Sequence, residues 1–267
     1  MSAYSGRHAE LYDVFYADKP YDKEAAFVHQ CLQQHSIGTT HRILELACGT
    51  GSHAMALETK GYKILATDYS MDMLACARRK AAQVRSEVVF CHCDMRILDL
   101  PYEPFDAVIC LFDSVGYVAT NEALVQVLEG VHRHLRSNGL FVFEFWHAGA
   151  MLRHHDPLRV RRFSTPDGEV LRISQTALDY AKQLSRVTYI VYELRRDGTY
   201  TNFQETQINR YFLVQEVAGW LSNCGFTPLK WFNGFNGDDV ITDQTWHVVA
   251  VAQRNKQIRY RDCVQHS

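Results

Sequence analysis

The sequence predicts an α/β fold built on a doubly wound parallel sheet. Five apolar, strand-like runs alternate with helical patterns between residues 22 and 145, which is typical of such a sheet. The first run ends in a glycine-rich turn, and an acid follows each of the next three. Because ligands of open α/β sheets lie outside the carboxyl ends of the strands, we expect a binding site at that edge.

The elements of this first half follow in order along the chain. A helical pattern covers residues 22–35, and strands are predicted at residues 43–47, 63–67, 88–91, 105–112 and 140–145. Between them, helices are predicted at residues 52–60, from residue 71 after the N-cap Ser70, and at residues 124–135. The dipeptide Asn138-Gly139 predicts the end of the last of these helices.

The second half predicts antiparallel hairpins and then a return to the core sheet. Strand-like runs surround a turn at residues 165–168, and two more, at 184–195 and 200–212, meet at Asp197-Gly198. A helix containing Val214 and Leu221 precedes closing strands at residues 227–231 and 246–252. We therefore predict an N-terminal helical cover and ligand-binding core at residues 1–150, an antiparallel hairpin insertion at 151–213, the last helix and closing strands of the core at 214–255, and a tail at 256–267.

The composition is that of an ordinary globular protein, and it narrows the class of partner. Apolar residues make up 47% of the 267 residues, charged residues make up 22%, and a net charge of -2 gives no electrostatic footprint for nucleic acid. The longest apolar run, at residues 107–112, is far too short to span a membrane, and the N-terminus lacks the apolar segment of a secretion signal. We expect a cytoplasmic protein that acts on a small molecule rather than on nucleic acid or a membrane.

The eight cysteines and thirteen histidines do not predict a metal site. No Cys-x-x-Cys pair and no His-Glu-x-x-His pattern occurs, and Cys91 with Cys93 would need ligands from elsewhere in the chain. Most of the other cysteines lie in apolar runs, where a free thiol packs as a small hydrophobe. We therefore expect reduced cysteines and no metal.

The glycine-rich turn at residues 45–51 indicates a nucleotide-like cofactor. Gly49 and Gly51 allow a sharp turn and the close approach of a ligand, and Asp68, at the end of the second strand, is placed to accept hydrogen bonds from ribose hydroxyls. The spacing Gly49-x-Gly51-x-x-Ala54 fits a dinucleotide fingerprint only loosely. Glu45 would repel a pyrophosphate but attract a cofactor that carries sulfonium and ammonium groups. This charge favours S-adenosylmethionine over a nicotinamide dinucleotide.

Four motifs within residues 42–146 extend this interpretation. They are Glu45-Leu-Ala-Cys-Gly-Thr-Gly51, Asp68-Tyr-Ser-Met-Asp-Met-Leu74, Cys93-Asp94-Met95 and Phe105-Asp106-Ala-Val. Together they resemble the class I S-adenosylmethionine-dependent methyltransferases, which implies a Rossmann-like, seven-stranded, mostly parallel sheet whose last strand runs antiparallel. Leu11-Tyr12-Asp13, residues 111–117 and the hairpins are similar to a narrower branch that includes N,N-dimethyltransferases acting on nucleotide-linked amino sugars.

The resemblance also implies which residues bind the cofactor. They are Tyr21, Glu45, Ala47, Gly49, Gly51, Asp68, Asp94, Met95 and Leu111. The backbone of the glycine turn would hold the methionine part, Asp68 the ribose, and Asp94 with Met95 the adenine. Leu111 would line the opposite side of the adenine pocket, and Tyr21 would cover the methionine end.

The implied reaction is an in-line displacement at the sulfonium methyl, in which the protein aligns nucleophile, methyl and sulfur. Tyr117, beyond the fourth strand, is the catalytic candidate nearest the methyl, although the amino-sugar branch has a histidine at that place. His147, after the fifth strand, is the second candidate. The residues expected to line the acceptor pocket are Tyr12, Tyr16 and Trp246.

Several alternatives stay open from the sequence. N-methylation is preferred, but O- or C-methylation, a tRNA or protein acceptor, a cofactor-binding protein without catalysis and an NAD-dependent oxidoreductase are all weighed against it. His53 either contacts the cofactor carboxylate or packs helices together, and Met73 is expected in the core rather than against adenine. The hairpins either cover the acceptor pocket or form a dimer interface, so both a monomer and a homodimer are consistent with the sequence.

Overall fold

The structure, a computed structural model, describes residues 4–255, and the predicted tail at residues 256–267 lies outside them. The helices are α1 (Arg7–Phe15), α2 (Tyr21–His35), α3 (Ser52–Glu58), α4 (Met71–Val84), α5 (Asn121–His134), α6 (Ala148–His154) and α7 (Val214–Asn223). The strands are β1 (Arg42–Glu45), β2 (Lys63–Asp68), β3 (Val89–His92), β4 (Phe105–Cys110), β5 (Leu135–Trp146), β6 (Leu158–Thr165), β7 (Gly168–Asp179), β8 (Leu184–Arg195), β9 (Tyr200–Arg210), β10 (Phe226–Asn233) and β11 (His247–Arg254). Two short 3-10 helices, Met95–Ile97 and Ser114–Tyr117, follow β3 and β4.

The central sheet has seven strands in the order β10-β11-β5-β4-β1-β2-β3. The strands β5, β4, β1, β2 and β3 pair in parallel, whereas β11 is antiparallel to both β5 and β10. The chain winds from β1 first toward β3 and then toward the opposite edge, so the sheet is doubly wound. The predicted fold class, including the antiparallel last strand, is confirmed.

Helices cover both faces of this sheet, and side chains alternate along the strands between two cores. In β5, Phe141 and Phe143 belong to the core that contains residues of α5 and α7, whereas Leu140 and Val142 belong to the core that contains residues of α2 and α3. Because both faces of such strands are buried, they appear in the sequence as continuous apolar runs. This explains why the strand pattern was recognisable.

The predicted boundary between α5 and β5 is wrong. The helix ends at His134, and β5 begins at once with Leu135, although Asn138-Gly139 predicted a helix stop and a strand from residue 140. Asn138 has a left-handed backbone (φ 61°), and the register between β4 and β5 shifts beside it. The dipeptide therefore bends an irregular strand rather than ending a helix.

The hairpins form a separate four-stranded antiparallel sheet in the order β6-β7-β8-β9. Leu11 and Phe15 of α1 pack on it against Val170 and Val191, so the N-terminal helix joins this sheet to the rest of the chain. None of the helices within residues 4–255 combines the length and apolar character needed to cross a membrane.

Candidate active site

The glycine turn between β1 and α3 has an unusual backbone. Its left-handed residues are Ala47 (φ 51°), Gly49 (φ 57°) and Gly51 (φ 75°). A Cβ on Gly51 would lie 2.7 Å from the ring of Phe90, so this position requires glycine for space as well as for conformation. The turn is therefore held in one shape at the carboxyl end of β1.

Asp68, the last residue of β2, stabilises this turn through hydrogen bonds. One carboxylate oxygen accepts the N–H of Gly49 at 2.8 Å, and the other accepts the N–H of Ser70 at 2.7 Å. Burial raises the pKa of Asp68, and these two N–H donors oppose that rise. A carboxylate oxygen accepts more than one hydrogen bond, so Asp68 keeps acceptor capacity for a ligand.

A cavity of about 590 Å³, which we call the turn cavity, opens beside the turn. It brings together five residues of the predicted cofactor set, namely Ala47, Gly49, Asp68, Asp94 and Met95. Met73 lines the turn cavity as well and is also buried in a small core with Ala9 and Tyr12. The volume lies within the range of small-molecule binding sites.

Asp94 and Met95 form one end of the turn cavity, just beyond β3. Asp94 caps the 3-10 helix by accepting the N–H of Arg96 at 2.9 Å, and the Nε of Arg96 donates to both of its carboxylate oxygens at 2.9 and 3.0 Å. Hydrogen bonds from the Arg96 side chain lower the pKa of Asp94. This ionised, oriented carboxylate is an acceptor for an amino group or hydroxyl of a ligand.

A second, much smaller space, the narrow cleft, lies on the other side of the turn. Tyr21, Glu45 and Leu111 line it together with Tyr12. Leu111 thus lies beside Glu45 and not in the turn cavity with Asp94, where the resemblance had implied it. Gly51 lines neither space and instead caps α3.

Glu45 presents an unsatisfied acceptor to the narrow cleft. It is buried, and its Oε2 has no hydrogen-bond partner within residues 4–255. Burial, together with the nearby Asp68 carboxylate, raises the pKa of Glu45 to about 8. The ionised form of a carboxyl buried in this way is stabilised by a cation, so the cleft fits a ligand with a positive charge.

His53 is held by a neighbouring helix. Its Nε2 lies 2.6 Å from Oε2 of Glu24, whose other oxygen accepts Lys19 Nζ at 2.6 Å. The contact joins α3 to α2, which corresponds to the helix-packing alternative. His53 also lines the narrow cleft, beside the ring of Tyr21.

Of the two predicted catalytic residues, Tyr117 lies in the site. It lines the turn cavity, its hydroxyl is hydrogen-bonded to that of Tyr4, and it donates to Gln207 at 3.4 Å. Burial raises the pKa of Tyr117 well above its ordinary value, so its hydroxyl keeps its proton at neutral pH. Tyr117 is consequently a hydrogen-bond donor there and not a base.

His147 does not reach the site. Its ring is buried beside Gly149 and lines none of the cavities near the turn; the residue follows β5, as expected, and is the N-cap of α6, a helix that was not predicted. Burial lowers its pKa. The structure therefore separates His147 from Tyr117 and from the glycine turn, because the chain turns away into α6 directly after β5.

A third space of about 370 Å³, the hairpin cavity, lies between the four-stranded sheet and the edge of the central sheet. The predicted acceptor residues Tyr16 and Trp246 both line it, whereas Tyr12 lines the turn cavity and the narrow cleft. Phe112 lines all three spaces and packs edge-on against Tyr16 at a centroid distance of 4.9 Å. Phe112 is thus the point at which the three spaces meet.

The hairpin cavity contains a histidine–carboxylate pair that the sequence analysis missed. His247 lines the cavity, and its Nδ1 lies 2.6 Å from Oε1 of the buried Glu144. The other oxygen of Glu144 accepts the N–H of Phe112 at 2.6 Å. Burial alone would raise the pKa of Glu144, but the hydrogen bond with His247, nearby positive charge that includes Lys19, and the Phe112 N–H together lower it, so this carboxylate is ionised.

The signal for this pair exists only in the register of two strands. Trp146 of β5 lies opposite His247 of β11, which places Glu144, two residues earlier, diagonally across from the histidine. The two residues are about a hundred positions apart in sequence, and no local motif joins them. Within residues 4–255, no group of three or more His, Cys, Asp or Glu side chains is arranged to hold a metal ion.

Residues 43–139 match the family model described as a methyltransferase domain. The chain is 27% identical, over 84% of its length and 87% of the relative's, to dTDP-4-amino-2,3,4,6-tetradeoxy-D-glucose N,N-dimethyltransferase of Saccharopolyspora spinosa. The X-ray structure of a sugar N-methyltransferase from Streptoalloteichus superposes with a TM-score of 0.77 at 25% identity, covering 96% of this chain and 97% of that one. An S-adenosylmethionine-dependent methyltransferase from Clostridium acetobutylicum has the same fold, with a TM-score of 0.79 at 21% identity and coverage of 93% and 98%.

These similarities agree with the geometry of the site. The buried acid Glu45, in the narrow cleft, and Asp68, in the turn cavity, lie on either side of the glycine turn, within the matched domain. The cofactor is S-adenosylmethionine, and not the nicotinamide dinucleotide that the sequence had left open. Residues 43–139 therefore form a methyltransferase domain, and the protein is an enzyme that depends on S-adenosylmethionine.

Proposed function

We propose that the protein transfers a methyl group from S-adenosylmethionine to the amine nitrogen of a small, amino-sugar-like molecule held in the hairpin cavity. The observation that carries the proposal is the shared wall at Phe112. This residue lines the turn cavity, the narrow cleft and the hairpin cavity. A donor on one side and an acceptor on the other would meet there.

The residues of the turn cavity and the narrow cleft fit the cofactor. Glu45 offers its unpartnered oxygen to the ammonium group, Asp68 accepts from the ribose, and Asp94 with Met95 borders the space for adenine. When bound, the cofactor supplies an electrophilic methyl on a positively charged sulfur. The protein's own contribution is to orient the two reactants and to keep water from the path between them.

An amine acceptor needs a group that takes its proton, because only the neutral amine is a nucleophile. His247 is suited to this, since the ionised Glu144 accepts from its Nδ1 and so leaves Nε2 as the acceptor in the neutral ring. Tyr117, which keeps its proton, would instead orient polar groups by hydrogen bonding.

The reported relatives favour nitrogen as the methylated atom. One is named as an N,N-dimethyltransferase of a nucleotide-linked amino sugar, and the superposed structure is that of a sugar N-methyltransferase. The aromatic walls of the hairpin cavity at Tyr16, Trp146 and Trp246 are suited to stack against a sugar ring or a base.

The test is methyl transfer from labelled cofactor to pairs of sugars that differ only in an amine or a hydroxyl on the same carbon. We expect label on the amine, located by mass spectrometry of the product. In His247→Gln, kcat/KM should fall by about 100-fold or more while cofactor affinity is retained, because the proton acceptor is lost. His154→Gln, an exposed histidine on α6, is the matched control and should behave as wild type. Transfer to the hydroxyl member alone, or full activity of His247→Gln, would contradict the proposal.

A further inference from the structure

Phe112 and Asp113, which follow β4, are two consecutive residues with a left-handed backbone. Their φ angles are 57° and 55°, and neither residue is glycine. This conformation is unusual for a bulky side chain such as Phe112, and it persists only where surrounding contacts enforce it. The strained pair includes the residue that lines the turn cavity, the narrow cleft and the hairpin cavity. The position of Phe112 therefore depends on the contacts that hold this pair.

The side chain of Asp113 makes two such contacts. It is 2% exposed, its Oδ1 accepts the N–H of Trp146 at 2.8 Å, and its Oδ2 accepts Nδ2 of Asn209 at 2.9 Å. Burial raises the pKa of Asp113 well above its ordinary value, and both donors oppose that rise. Trp146 ends β5 of the central sheet, whereas Asn209 belongs to β9 of the four-stranded sheet. One buried side chain thus joins both sheets to the turn that carries Phe112.

The backbone on each side of Asp113 is fixed as well. Glu144 accepts the N–H of Phe112 at 2.6 Å, and the N–H of Gly116 donates to the carbonyl of Asp113 at 2.9 Å. A Cβ on Gly116 would lie 3.0 Å from both carboxylate oxygens of Asp113, so glycine leaves the room that this side chain occupies. Neither Asp113 nor Asn209 lines any of the three spaces. Any influence of these two side chains on a bound molecule therefore acts through the residues that they hold.

We infer that Asp113 is a positioning residue for methyl transfer, which through its hydrogen bonds to Asn209 and Trp146 holds Phe112 where the donor and acceptor spaces meet. This inference rests on the proposed function, since it concerns the wall at which the two reactants would meet. A misplacement of about 1 Å at a reacting centre lowers the rate by roughly 100-fold. Loss of the Asp113 contacts should therefore lower kcat, and it should leave cofactor affinity and the acceptor KM nearly unchanged.

The test is a series of substitutions at position 113 in the full-length protein. Asp113→Ala and Asp113→Gly both remove the carboxylate, but only glycine adopts the left-handed conformation without strain. Asp113→Gly should therefore be the more stable of the two in urea, yet both should lose about 100-fold in kcat. Asp113→Asn tolerates the left-handed conformation and keeps an acceptor for the Trp146 N–H, and the Asn209 amide can turn its oxygen toward it. We expect Asp113→Asn to retain kcat within about fivefold of wild type.

A second variant removes the contact without changing the strained pair. Asn209→Leu deletes the donor to Asp113 and should lower kcat by about tenfold, with cofactor affinity within about threefold of wild type. Without any acceptor present, the amides of residues 112–117 should exchange with deuterium faster in this variant than in wild type. Asn202→Leu, at an exposed position of the same strand, is the matched control and should behave as wild type in both measurements.

A structural role alone would make kcat follow stability. Recovery of kcat from Asp113→Ala to Asp113→Gly would therefore overturn the inference, as would wild-type kcat or unchanged amide exchange in Asn209→Leu. Transfer to the hydroxyl sugar alone, with the expected series of kcat values on that acceptor, would refute only the proposed function. Transfer to the amine with wild-type kcat in Asn209→Leu would refute only the positioning role of Asp113.

Discussion

The turn cavity and the hairpin cavity meet at Phe112, but they are built in opposite ways. About half of the residues that line the turn cavity lie in one continuous stretch, residues 47–96, in which each turn follows its own strand, and the others come from Tyr4, Tyr12, residues 112–118 and residues 206–208. The walls of the hairpin cavity come from Tyr16 after α1, from β5 and α6, from the consecutive strands β6, β7 and β8, and from Trp246 and β11, so they join segments from residue 16 to residue 247. The first site thus depends on local backbone geometry, and the second on the register of two sheets.

Gly51→Ala tests whether the turn cavity depends on local backbone geometry, and it should have the largest effect. The left-handed conformation at φ 75° disfavours alanine, and its Cβ would lie 2.7 Å from the ring of Phe90. We expect a loss of roughly 3 kcal/mol in the free energy of unfolding, measured by urea denaturation. Gly61→Ala is the matched control, because Gly61 is also left-handed (φ 92°) but has nothing within 4 Å of the added Cβ. Equal losses in the two variants would show that the Phe90 contact is unimportant.

Asp68→Asn tests the ligand side of the glycine turn. The amide loses the negative charge and one of the two acceptors that bind Gly49 and Ser70, so cofactor affinity should fall by about 30-fold, or about 2 kcal/mol. The acceptor KM should change little. Asp106→Asn is the control, because Asp106 likewise accepts backbone N–H groups, those of His41 and Arg42, but at the opposite end of the sheet. If calorimetry showed unchanged cofactor affinity in Asp68→Asn, Asp68 would not be the residue that binds the ribose.

The fold and the turn cavity were largely predictable from the sequence, and the reason is physical. Buried parallel strands leave continuous apolar runs, and a left-handed turn leaves glycines, so both features are visible within a few residues. The predicted end of α5 was wrong because the dipeptide Asn138-Gly139 is suited both to ending a helix and to bending a strand, and its residues alone do not distinguish the two. The pair Glu144–His247 was not predictable, because it exists only once two strands are aligned.

The raised pKa of Glu45 predicts that cofactor binding depends on pH, and we assign this dependence to the narrow cleft alone. Its pKa of about 8 means that the ligand-free carboxyl is mostly protonated at neutral pH, whereas a cationic ligand requires the ionised form. Cofactor affinity should therefore rise by about 20-fold between pH 6 and 7.5, as expected when binding requires the release of one proton. The ligand-free protein should lose stability as the pH rises toward 8, because the folded chain holds a proton that the unfolded chain has released.

The control for this pH dependence is Glu45→Gln, whose cofactor affinity should be weaker and nearly constant over the same pH range. Calorimetry at several pH values measures both proteins. A slope that persists in Glu45→Gln would assign the proton to another group.

Trp246→Leu should give the smallest effect. Unlike Asp68→Asn, it should change the acceptor KM and leave cofactor affinity unchanged. Removing part of an aromatic wall of the hairpin cavity should raise the acceptor KM about fivefold, or about 1 kcal/mol, with unchanged cofactor affinity. Trp231→Leu, on β10 and away from the cavity, is the control. A change in cofactor affinity in Trp246→Leu would mean that the two spaces do not act separately.

The most direct test of the meeting point at Phe112 is a crystal structure of the protein with S-adenosylhomocysteine. We predict that the adenine lies at Asp94 and Met95, that the amino group reaches Glu45, and that the sulfur faces the hairpin cavity beside Phe112. A sulfur that faces away from Phe112, or a homocysteine chain that does not approach Glu45, would contradict this account.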